Sequence, residues 1–261
     1  MRCIISEIKL VKTTSTSINF MLLNGPMKTQ GNPSKKALIL QHAPEDPPGT
    51  LLPWFEKQAI TPVVFETYLG KVWPKVEDYD LVIALGGVMN VDQEDRFPWL
   101  REEKELLRQS IALKKKTLGL CLGGQLIAEV LGSPVHRHDH WEVGWHSVKI
   151  NNEHPFLRNS APSVPVFQYH GYRFHLPPLC VRLASNEACS EQGFAFENHV
   201  AGFQFHPEST VPWIHYCADS LREEKLQGQF VQKPEELLEQ IQLQTQLQSW
   251  FHSFLDQFYL A

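Results

Sequence analysis

The sequence predicts a doubly wound α/β domain, in which a mostly parallel sheet has helices on both faces and carries added antiparallel hairpins. In the first half of the chain, short apolar runs alternate with segments of helical periodicity. This alternation is typical of the strand-helix-strand units that build a parallel sheet. In the second half, short strand-like runs follow one another between turn residues, which indicates hairpins.

Four apolar runs in the first half are the predicted parallel strands. They occupy residues 37–40, 62–65, 81–85 and 117–120. Each run is apolar throughout instead of alternating with polar residues, which is typical of strands that are covered on both faces.

An amphipathic helix is predicted between the third and fourth of these strands. Apolar side chains recur there at helical spacing, namely Trp99, Leu100, Leu106, Leu107, Ile111 and Leu113. Four charged residues, Glu102, Glu103, Lys104 and Arg108, are assigned to the other faces, so one side of this helix is expected to pack on the sheet.

Five short strands and two helical stretches are predicted in the second half. The strands occupy residues 142–150, 164–169, 180–185, 193–197 and 200–205. After Pro212 the chain turns helical, and residues 235–259 place apolar side chains around a Gln-rich helix. We expect this last helix to pack on the sheet, and a helix that binds a partner or a second copy is the alternative.

Three segments are predicted along the 261 residues. Residues 1–35 are polar, rich in Ser, Thr and Asn, and end in a linker-like cluster, so they are expected to form a flexible N-terminal extension. Residues 36–221 form the predicted folded domain, and residues 222–261 form a C-terminal helical segment packed on it. A hydrophobic content of 43% is enough for one substantial core.

Net charge, hydrophobicity and cysteine content limit which partners and which cellular compartment are expected for the protein. A net charge of -5 without a long basic block argues against nucleic acid or an anionic membrane surface as partner, and no apolar run approaches the roughly 18 residues of a membrane span. The five cysteines are odd in number and contain no C-x-x-C pair, which favours a reducing cytoplasm. The apolar residues 18–23, which follow Arg2, Lys9 and Lys12, leave a secretory or organellar signal as the alternative.

A cysteine stands in a glycine-rich turn between a predicted strand and a helix. Residues 117–126 read TLGLCLGGQL, with Cys121 at the turn. This is the form of a nucleophile elbow, with sulfur in place of the serine oxygen. Gly119 and Gly123 are expected to let the strand and helix pass closely while the cysteine takes a sparsely allowed backbone conformation. The alternative is a small buried cysteine without a chemical role.

A base and a group to orient it lie further along the chain. His206 stands at the end of a short predicted strand, and Glu208 follows two residues later. A thiolate nucleophile needs a base that is held by a third group. Read alone, His206 would be a structural histidine at a strand end, but its pairing with an elbow cysteine favours a catalytic role.

These motifs resemble those of the class I glutamine amidotransferase family, in the branch similar to the glutaminase domain of GMP synthase. The resemblance lies in residues 119–125, in residues 204–208 and in Leu85-Gly86-Gly87 after the third strand. It extends in the same order from about residue 36 to residue 220. It implies a flavodoxin-like sheet, a γ-glutamyl substrate, and neither a cofactor nor a metal.

The resemblance also implies roles for individual residues. Cys121 resembles the nucleophile that forms a γ-glutamyl thioester, His206 the general base and acid, and Glu208 the group that orients it. The backbone N–H groups of Gly87 and Leu122 are expected to form the oxyanion hole.

Contacts with the substrate are implied for a further set of residues, namely Gln125, His170, Gly171 and Tyr172. The segments Glu142-Val143-Gly144-Trp145 and residues 167–171 resemble those that line the glutamine pocket. Two positions depart from the family pattern. Val88 replaces a proline that often follows the paired glycines, which is expected to loosen that loop slightly, and Tyr172 stands where the branch commonly has aspartate, which leaves the substrate preference open.

A run of alternating histidines offers a metal site as an alternative feature. His136, His138 and His140 would share one face of a strand. Three ligands so close together on one strand fit tetrahedral coordination poorly, so we expect a solvated rim of the active site and no metal there.

Three functions follow from these observations. The first is hydrolysis of the γ-amide of glutamine, with release of ammonia to an acceptor. No G-x-x-x-x-G-K-[ST] motif occurs in the sequence, so either a separate synthetase or acceptor subunit uses the ammonia or the chain acts alone. Acting alone favours the second function, a γ-glutamyl peptide hydrolase of the same fold. The third is a non-catalytic regulatory protein, against which the combination of Cys121, His206 and Glu208 argues.

Overall fold

The computed structural model of the protein describes residues 35–261, so the predicted extension over residues 1–35 lies outside the described residues except for Lys35. The strands are β1 (Lys36–Gln41), β2 (Thr61–Glu66), β3 (Leu81–Ala84), β4 (Lys116–Leu120), β5 (Val135–Ile150), β6 (Ser163–Phe174), β7 (Val181–Ser185), β8 (Gly193–Phe196), β9 (Val200–Phe203) and β10 (Phe230–Val231). The helices are α1 (Leu51–Gln58), α2 (Trp99–Ala112), α3 (Leu122–Val130), α4 (Val211–Glu224), α5 (Pro234–Glu239) and α6 (Leu243–Leu260).

The strands join into one mixed sheet. Its order is β10-β5-β7-β8-β9-β4-β3-β1-β2, and β6 pairs with β5 beside this path. The neighbours from β2 through β1, β3 and β4 to β9 are all parallel. The pairs formed by β9 with β8, β8 with β7, and β5 with β6 and β7 are antiparallel. The predicted α/β class is therefore confirmed, since β1 to β4 are parallel and the antiparallel pairs are all formed by strands of the second half. Two strands of the second half are also parallel to a neighbour, β9 to β4 and β10 to β5.

Helices cover the sheet on both faces, as the uniformly apolar strands predict. Along β1, Ala37 and Ile39 pack into one core with residues of α1, α4 and α6. Leu38 and Leu40 point to the opposite core, which contains residues of α2 and α3. Because successive side chains of a strand alternate between faces, both faces of β1 are buried and the strand reads as continuously apolar.

Two of the predicted strands, β5 and β6, are longer in the structure, and β6 continues to Phe174 beyond the predicted end at residue 169. Strand β5 begins at Val135, before the predicted start at residue 142, and its pairing with β6 shifts in register between Arg137 and Glu142. The histidine run lies in this irregular part, and its rings do not form one row. His136 stacks on His175 at a centroid distance of 4.8 Å, while His138 and His140 face each other at 4.0 Å. Within residues 35–261, no group of three or more His, Cys, Asp or Glu side chains is placed to hold a metal ion.

The prediction of a single helix over residues 235–259 is wrong, because two helices, α5 and α6, occupy that stretch. The break comes after α5, where the Leu237 carbonyl accepts a hydrogen bond from the Trp145 indole N–H at 3.2 Å. In an unbroken helix that carbonyl would accept from the N–H of Ile241, which instead bonds the Leu238 carbonyl at 3.2 Å. A tertiary contact with β5 therefore ends α5.

The C-terminal helix α6 lies within the core of the described residues. Phe251, Phe254 and Phe258 are at most 1% exposed, and they pack into the same core as β9. The boundary between residues 221 and 222 stays a prediction. Across residues 35–261, no helix is both long and apolar enough for a membrane crossing.

Candidate active site

Cys121 occupies a tight turn between β4 and α3. Its backbone has φ 49° and ψ -107°, so it lies at positive φ although it is not a glycine. A methyl group on Gly119 would overlap the backbone of Gly123, and one on Gly123 would overlap the Ala84 carbonyl. These close approaches confirm the predicted elbow, because only glycines leave room for α3 to start directly above the sheet. Local strain of this kind is common where a reactive side chain must be presented.

The thiol lies at the edge of the sheet where the parallel strands end. Cys121 is 6% exposed, and its N–H donates to the Phe203 carbonyl at the end of β9 at 2.8 Å. It also stands at the N-terminal end of α3, where the helix dipole favours a negative charge. The Gln204 side-chain nitrogen is 3.9 Å from the sulfur.

His206 is held rigidly beside this thiol. The backbone N–H of His206 donates to the Phe167 carbonyl at 2.9 Å, and the His206 ring packs against the Trp213 ring at a centroid distance of 4.7 Å. Nδ1 is 2.9 Å from Oε1 of Glu208, and both side chains are buried. The opposite ring nitrogen is thereby free to face the thiol.

The electrostatic environment favours the charged form of His206. Burial by itself lowers its pKa, but negative charge on the nearby Cys121 sulfur and on the Glu208 carboxylate, and the hydrogen bonds to both, raise it. The net result is a pKa well above the ordinary value. The imidazolium form therefore persists to higher pH than in an isolated histidine.

Replacing Glu208 with glutamine is expected to lower the pKa of His206, because a neutral amide does not stabilise the imidazolium. An NMR titration of the His206 side chain measures this change. Glu45→Gln is the matched control, since Glu45 is an exposed acid in the loop after β1. An unchanged titration of His206 in Glu208→Gln would show that the carboxylate does not act on the ring.

The loop after β3 passes directly over the thiol and the imidazole. A methyl group built on Gly86 would lie 2.6 Å from Cε1 of His206 and 3.7 Å from Cβ of Cys121. The N–H of Gly123 donates to the Leu85 carbonyl at 2.9 Å, which ties this loop to the first turn of α3. Among the described residues, no atom accepts a hydrogen bond from the N–H of Gly87 or Leu122. Both donors predicted for an oxyanion hole are thus unused by the protein in this part of the chain.

A cavity of about 420 Å³ opens above the thiol. Its lining includes most of the predicted site residues, namely Gly87, Cys121, Gln125, His170, Gly171, Tyr172 and His206. Glu208 and Leu122 do not line it. Val88 does, and it is 82% exposed at the mouth. The structure therefore brings residues from separate predicted motifs to one cavity.

Gln125 takes part in a buried chain of side-chain contacts. Its amide nitrogen donates to the Tyr172 carbonyl at 3.2 Å and to Oε1 of Gln204 at 3.3 Å. It is 3% exposed. Gln125 thus links the elbow helix to the cavity wall formed by β6.

His170 is anchored from behind by a buried carboxylate. Its Nε2 is 3.1 Å from Oε2 of Glu142, and its Nδ1 is 3.0 Å from the Tyr172 carbonyl. Glu142 also accepts hydrogen bonds from Gln192, at 2.7 Å, and from Asn186. Burial raises the pKa of Glu142, but the hydrogen bond and charge of the His170 ring and the hydrogen bond from Asn186 outweigh it, and the pKa lies below its ordinary value. Glu142 therefore supports the wall without lining the cavity.

Other charged and aromatic residues of the lining are not found from local sequence patterns. They are Asp46, Arg137, Trp141, Trp213 and Glu224. Asp46 accepts a hydrogen bond from the Trp213 indole at 3.2 Å. One signal could have identified it, because it follows β1 and ligand-binding residues gather where parallel strands end. Arg137 and Trp141 lie within and directly after the histidine run that we expect at the rim of the active site, whereas Trp213 and Glu224 come from α4, whose sequence carries no such signal.

Comparisons with known proteins agree with this geometry. A model of the family described as Glutamine amidotransferase class-I matches residues 57–212. The chain is 34% identical over 135 residues to one of the subunits of the glutamine-hydrolyzing GMP synthase of Sulfurisphaera tokodaii, and the match covers 51% of this chain and 69% of that protein. It is 28% identical over 178 residues to gamma-glutamyl peptidase 3 of Arabidopsis thaliana, covering 64% and 72%.

A solved structure resembles nearly the whole described fold. The crystal structure of a glutamine amidotransferase from Thermotoga maritima superimposes with a TM-score of 0.79 at 29% identity. The match covers 88% of this chain and 100% of that one. The α/β fold described above is therefore similar to that of a solved glutamine amidotransferase.

Proposed function

The chain belongs to the class I glutamine amidotransferase family, and we propose that it hydrolyses the γ-amide of glutamine through a thioester on Cys121, releasing ammonia and glutamate. The observation that carries this proposal is the convergence of three groups. Cys121 lies on a strained elbow, His206 lies beside it, and Glu208 holds the far ring nitrogen of His206 at 2.9 Å. A structural cysteine needs neither a base nor a group that orients the base.

The reaction would proceed in two steps. The thiolate attacks the carbonyl carbon of the glutamine side-chain amide, the carbon–nitrogen bond breaks, and His206 protonates the departing nitrogen, which leaves as ammonia. His206 then removes a proton from water, whose oxygen attacks the thioester and releases glutamate with the thiol restored. We propose that the N–H groups of Gly87 and Leu122 stabilise the negative oxygen that forms in each step.

The cavity wall supports recognition of the amino-acid end of the substrate. We propose contacts from Gln125, His170, Gly171 and Tyr172, all of which line the cavity. Acidic and basic side chains stand on the same lining, including Asp46, Glu224 and Arg137. Such a mixture of charges suits a zwitterion, which carries an ammonium and a carboxylate together.

A γ-glutamyl peptide hydrolase is the second candidate, and the size of the cavity favours it. A volume of about 420 Å³ with Trp141, Tyr169 and Trp213 on its walls leaves room for more than one amino acid. The similarity to gamma-glutamyl peptidase 3 points in the same direction. The similarity to one subunit of a GMP synthase favours instead a separate synthetase that takes up the ammonia. A cytoplasmic location stays a prediction.

A comparison of substrates distinguishes the two candidate activities. The purified chain is incubated with glutamine, with a γ-glutamyl peptide such as γ-Glu-Cys-Gly, and with an α-linked glutamyl peptide as the matched control, and glutamate, ammonia and free peptide are measured. Glutaminase activity gives equal amounts of ammonia and glutamate from glutamine. Peptidase activity gives glutamate and the shortened peptide from the γ-linked substrate alone. The absence of glutamate from both γ-linked compounds would contradict both proposals.

A further inference from the structure

A buried ion pair lies behind the loop that passes over the thiol. His42 follows β1, and its Nδ1 is 2.8 Å from the Gly86 carbonyl oxygen. Its Nε2 is 2.9 Å and 3.0 Å from the two carboxylate oxygens of Glu103 on α2. Both side chains are 0% exposed, and neither lines the cavity. The pair therefore cannot contact a bound substrate directly.

The direction of the first hydrogen bond follows from the chemistry of its acceptor. A carbonyl oxygen can only accept, so Nδ1 of His42 carries a proton and donates to Gly86. Nε2 faces both carboxylate oxygens of Glu103, which accept a hydrogen bond from it when the ring is protonated at both nitrogens. Burial lowers the pKa of His42, but the charge and hydrogen bond of Glu103 and the bond to Gly86 outweigh it, and the pKa lies above its ordinary value.

This bond sets the orientation of the next peptide group. The Gly86–Gly87 bond is trans, like the other peptide bonds of the described residues, and the C=O and N–H of a trans peptide point in opposite directions. Because the Gly86 carbonyl points at His42, the Gly87 N–H points away from it. Gly87 itself lines the cavity above Cys121.

The pair is also packed so that it cannot turn. The His42 ring stacks on the Trp99 ring at a centroid distance of 5.4 Å and an interplanar angle of 5°. A methyl group built on Gly87 would come within 2.9 Å of Cβ of His42. The loop is thus held between His42 on one side and the thiol and imidazole on the other. A buried ion pair is by itself weak support for stability, so its place behind this loop calls for a different explanation.

We propose that His42 and Glu103 are positioning residues that hold the Gly86–Gly87 peptide plane so that the Gly87 N–H is directed at the substrate oxygen. Glu103 fixes the ring of His42, and His42 fixes the carbonyl of Gly86. The inference rests on the proposed function, because a negative oxygen forms only when Cys121 attacks a carbonyl carbon. The peptide orientation itself does not depend on any reaction.

Two double variants separate this role from simple packing. In asparagine the side-chain nitrogen is two bonds beyond Cβ, like Nδ1 of histidine, whereas in glutamine it is three bonds beyond, like Nε2. His42→Asn with Glu103→Gln therefore keeps a donor for Gly86, and His42→Gln with Glu103→Gln does not. Both variants remove the buried charges together, so neither leaves an unpaired ion.

Three measurements are made on the wild type and on both variants. They are kcat and KM for glutamate release, the rate of Cys121 alkylation by iodoacetamide, and the amide NMR correlation of Gly87. Alkylation requires the thiolate but forms no oxyanion, so it reports whether Cys121 and His206 are intact. We expect His42→Gln/Glu103→Gln to lower kcat about 10- to 100-fold with little change in KM, since one oxyanion donor is worth about 10²–10³ in kcat. The alkylation rate of this variant is expected to stay within about twofold of the wild-type rate. The kcat of His42→Asn/Glu103→Gln is expected to stay within about fivefold of the wild-type value.

The outcomes that overturn the proposal are distinct. Equal kcat values in the two variants, or a parallel loss of turnover and alkylation, would contradict the proposal and show that His42 and Glu103 only pack the core. If the wild type releases no glutamate, the proposed function fails, and the Gly87 amide signal still decides the inference. A Gly87 signal that moves only in the glutamine variant supports the positioning role, and a signal that is unchanged or moves alike in both variants refutes it.

Discussion

Cys121→Ala is expected to lower the rate of glutamate release by about 10³-fold or more, because the variant lacks the sulfur that forms the thioester. When a nucleophile, a base and an orienting acid act together, loss of the nucleophile alone removes most of their rate enhancement. Alanine keeps Cβ, so the unusual backbone at φ 49° is equally strained in both proteins. The expected loss is therefore chemical and leaves the fold intact. Glutamate release from the preferred γ-glutamyl substrate measures it.

The matched control for this experiment is Cys180→Ala. Cys180 is a half-buried free cysteine that does not line the cavity, and we expect its replacement to leave the rate within about twofold. Acid quenching of the wild type during turnover should trap a γ-glutamyl group on the peptide that contains Cys121. Equal activity in Cys121→Ala and Cys180→Ala would contradict the assignment of the nucleophile.

Phe254→Ala is expected to lower the free energy of unfolding by about 3–5 kcal/mol, the range for removing a fully buried phenylalanine ring. Phe254 on α6 is 1% exposed. Its ring lies 4.8 Å from the Phe203 ring, measured between centroids, and 5.5 Å from the Phe258 ring. The cavity left behind would adjoin β9, whose end leads to His206. Urea unfolding followed by fluorescence measures the change.

The neighbouring residue provides the control. Ser253 is exposed on the same helix, and Ser253→Ala should change the free energy of unfolding by less than about 0.5 kcal/mol. An effect of Phe254→Ala below about 1 kcal/mol would show that α6 is not part of the cooperative core. A large effect would instead show that the C-terminal segment stabilises the catalytic domain and cannot be treated as an appendage.

The parts of the site that lie close together in the sequence are the parts that could be predicted. The elbow consists of consecutive residues around Cys121, and its glycines indicate a close approach of strand and helix. His206 and Glu208 are separated by one residue, so their contact needs little more than a strand end. The parallel strands were also predictable, because burial on both faces makes each of them continuously apolar.

The parts that were missed depend on contacts between distant residues. His42 and Glu103 are 61 positions apart, and neither stands in a motif. The assignment of Glu103 and Lys104 to the outer faces of α2 is wrong, because both side chains are buried and Glu103 pairs with His42. The break between α5 and α6 arises because Trp145 takes the carbonyl of Leu237, which lies 92 positions away. A helical pattern in the sequence does not reveal that another strand competes for one of its carbonyls.

The sequence by itself determined the strand-helix alternation, the family and the identity of the candidate nucleophile, base and orienting acid, because each of these is recorded in local spacing and residue type. Only the tertiary structure decided which side chains surround the cavity and which hold the loop above the thiol. The physical reason is that the ends of parallel strands bring residues from separate loops to one edge of the sheet. Hydrogen bonds such as that from His42 to Gly86 exist only after those loops have met.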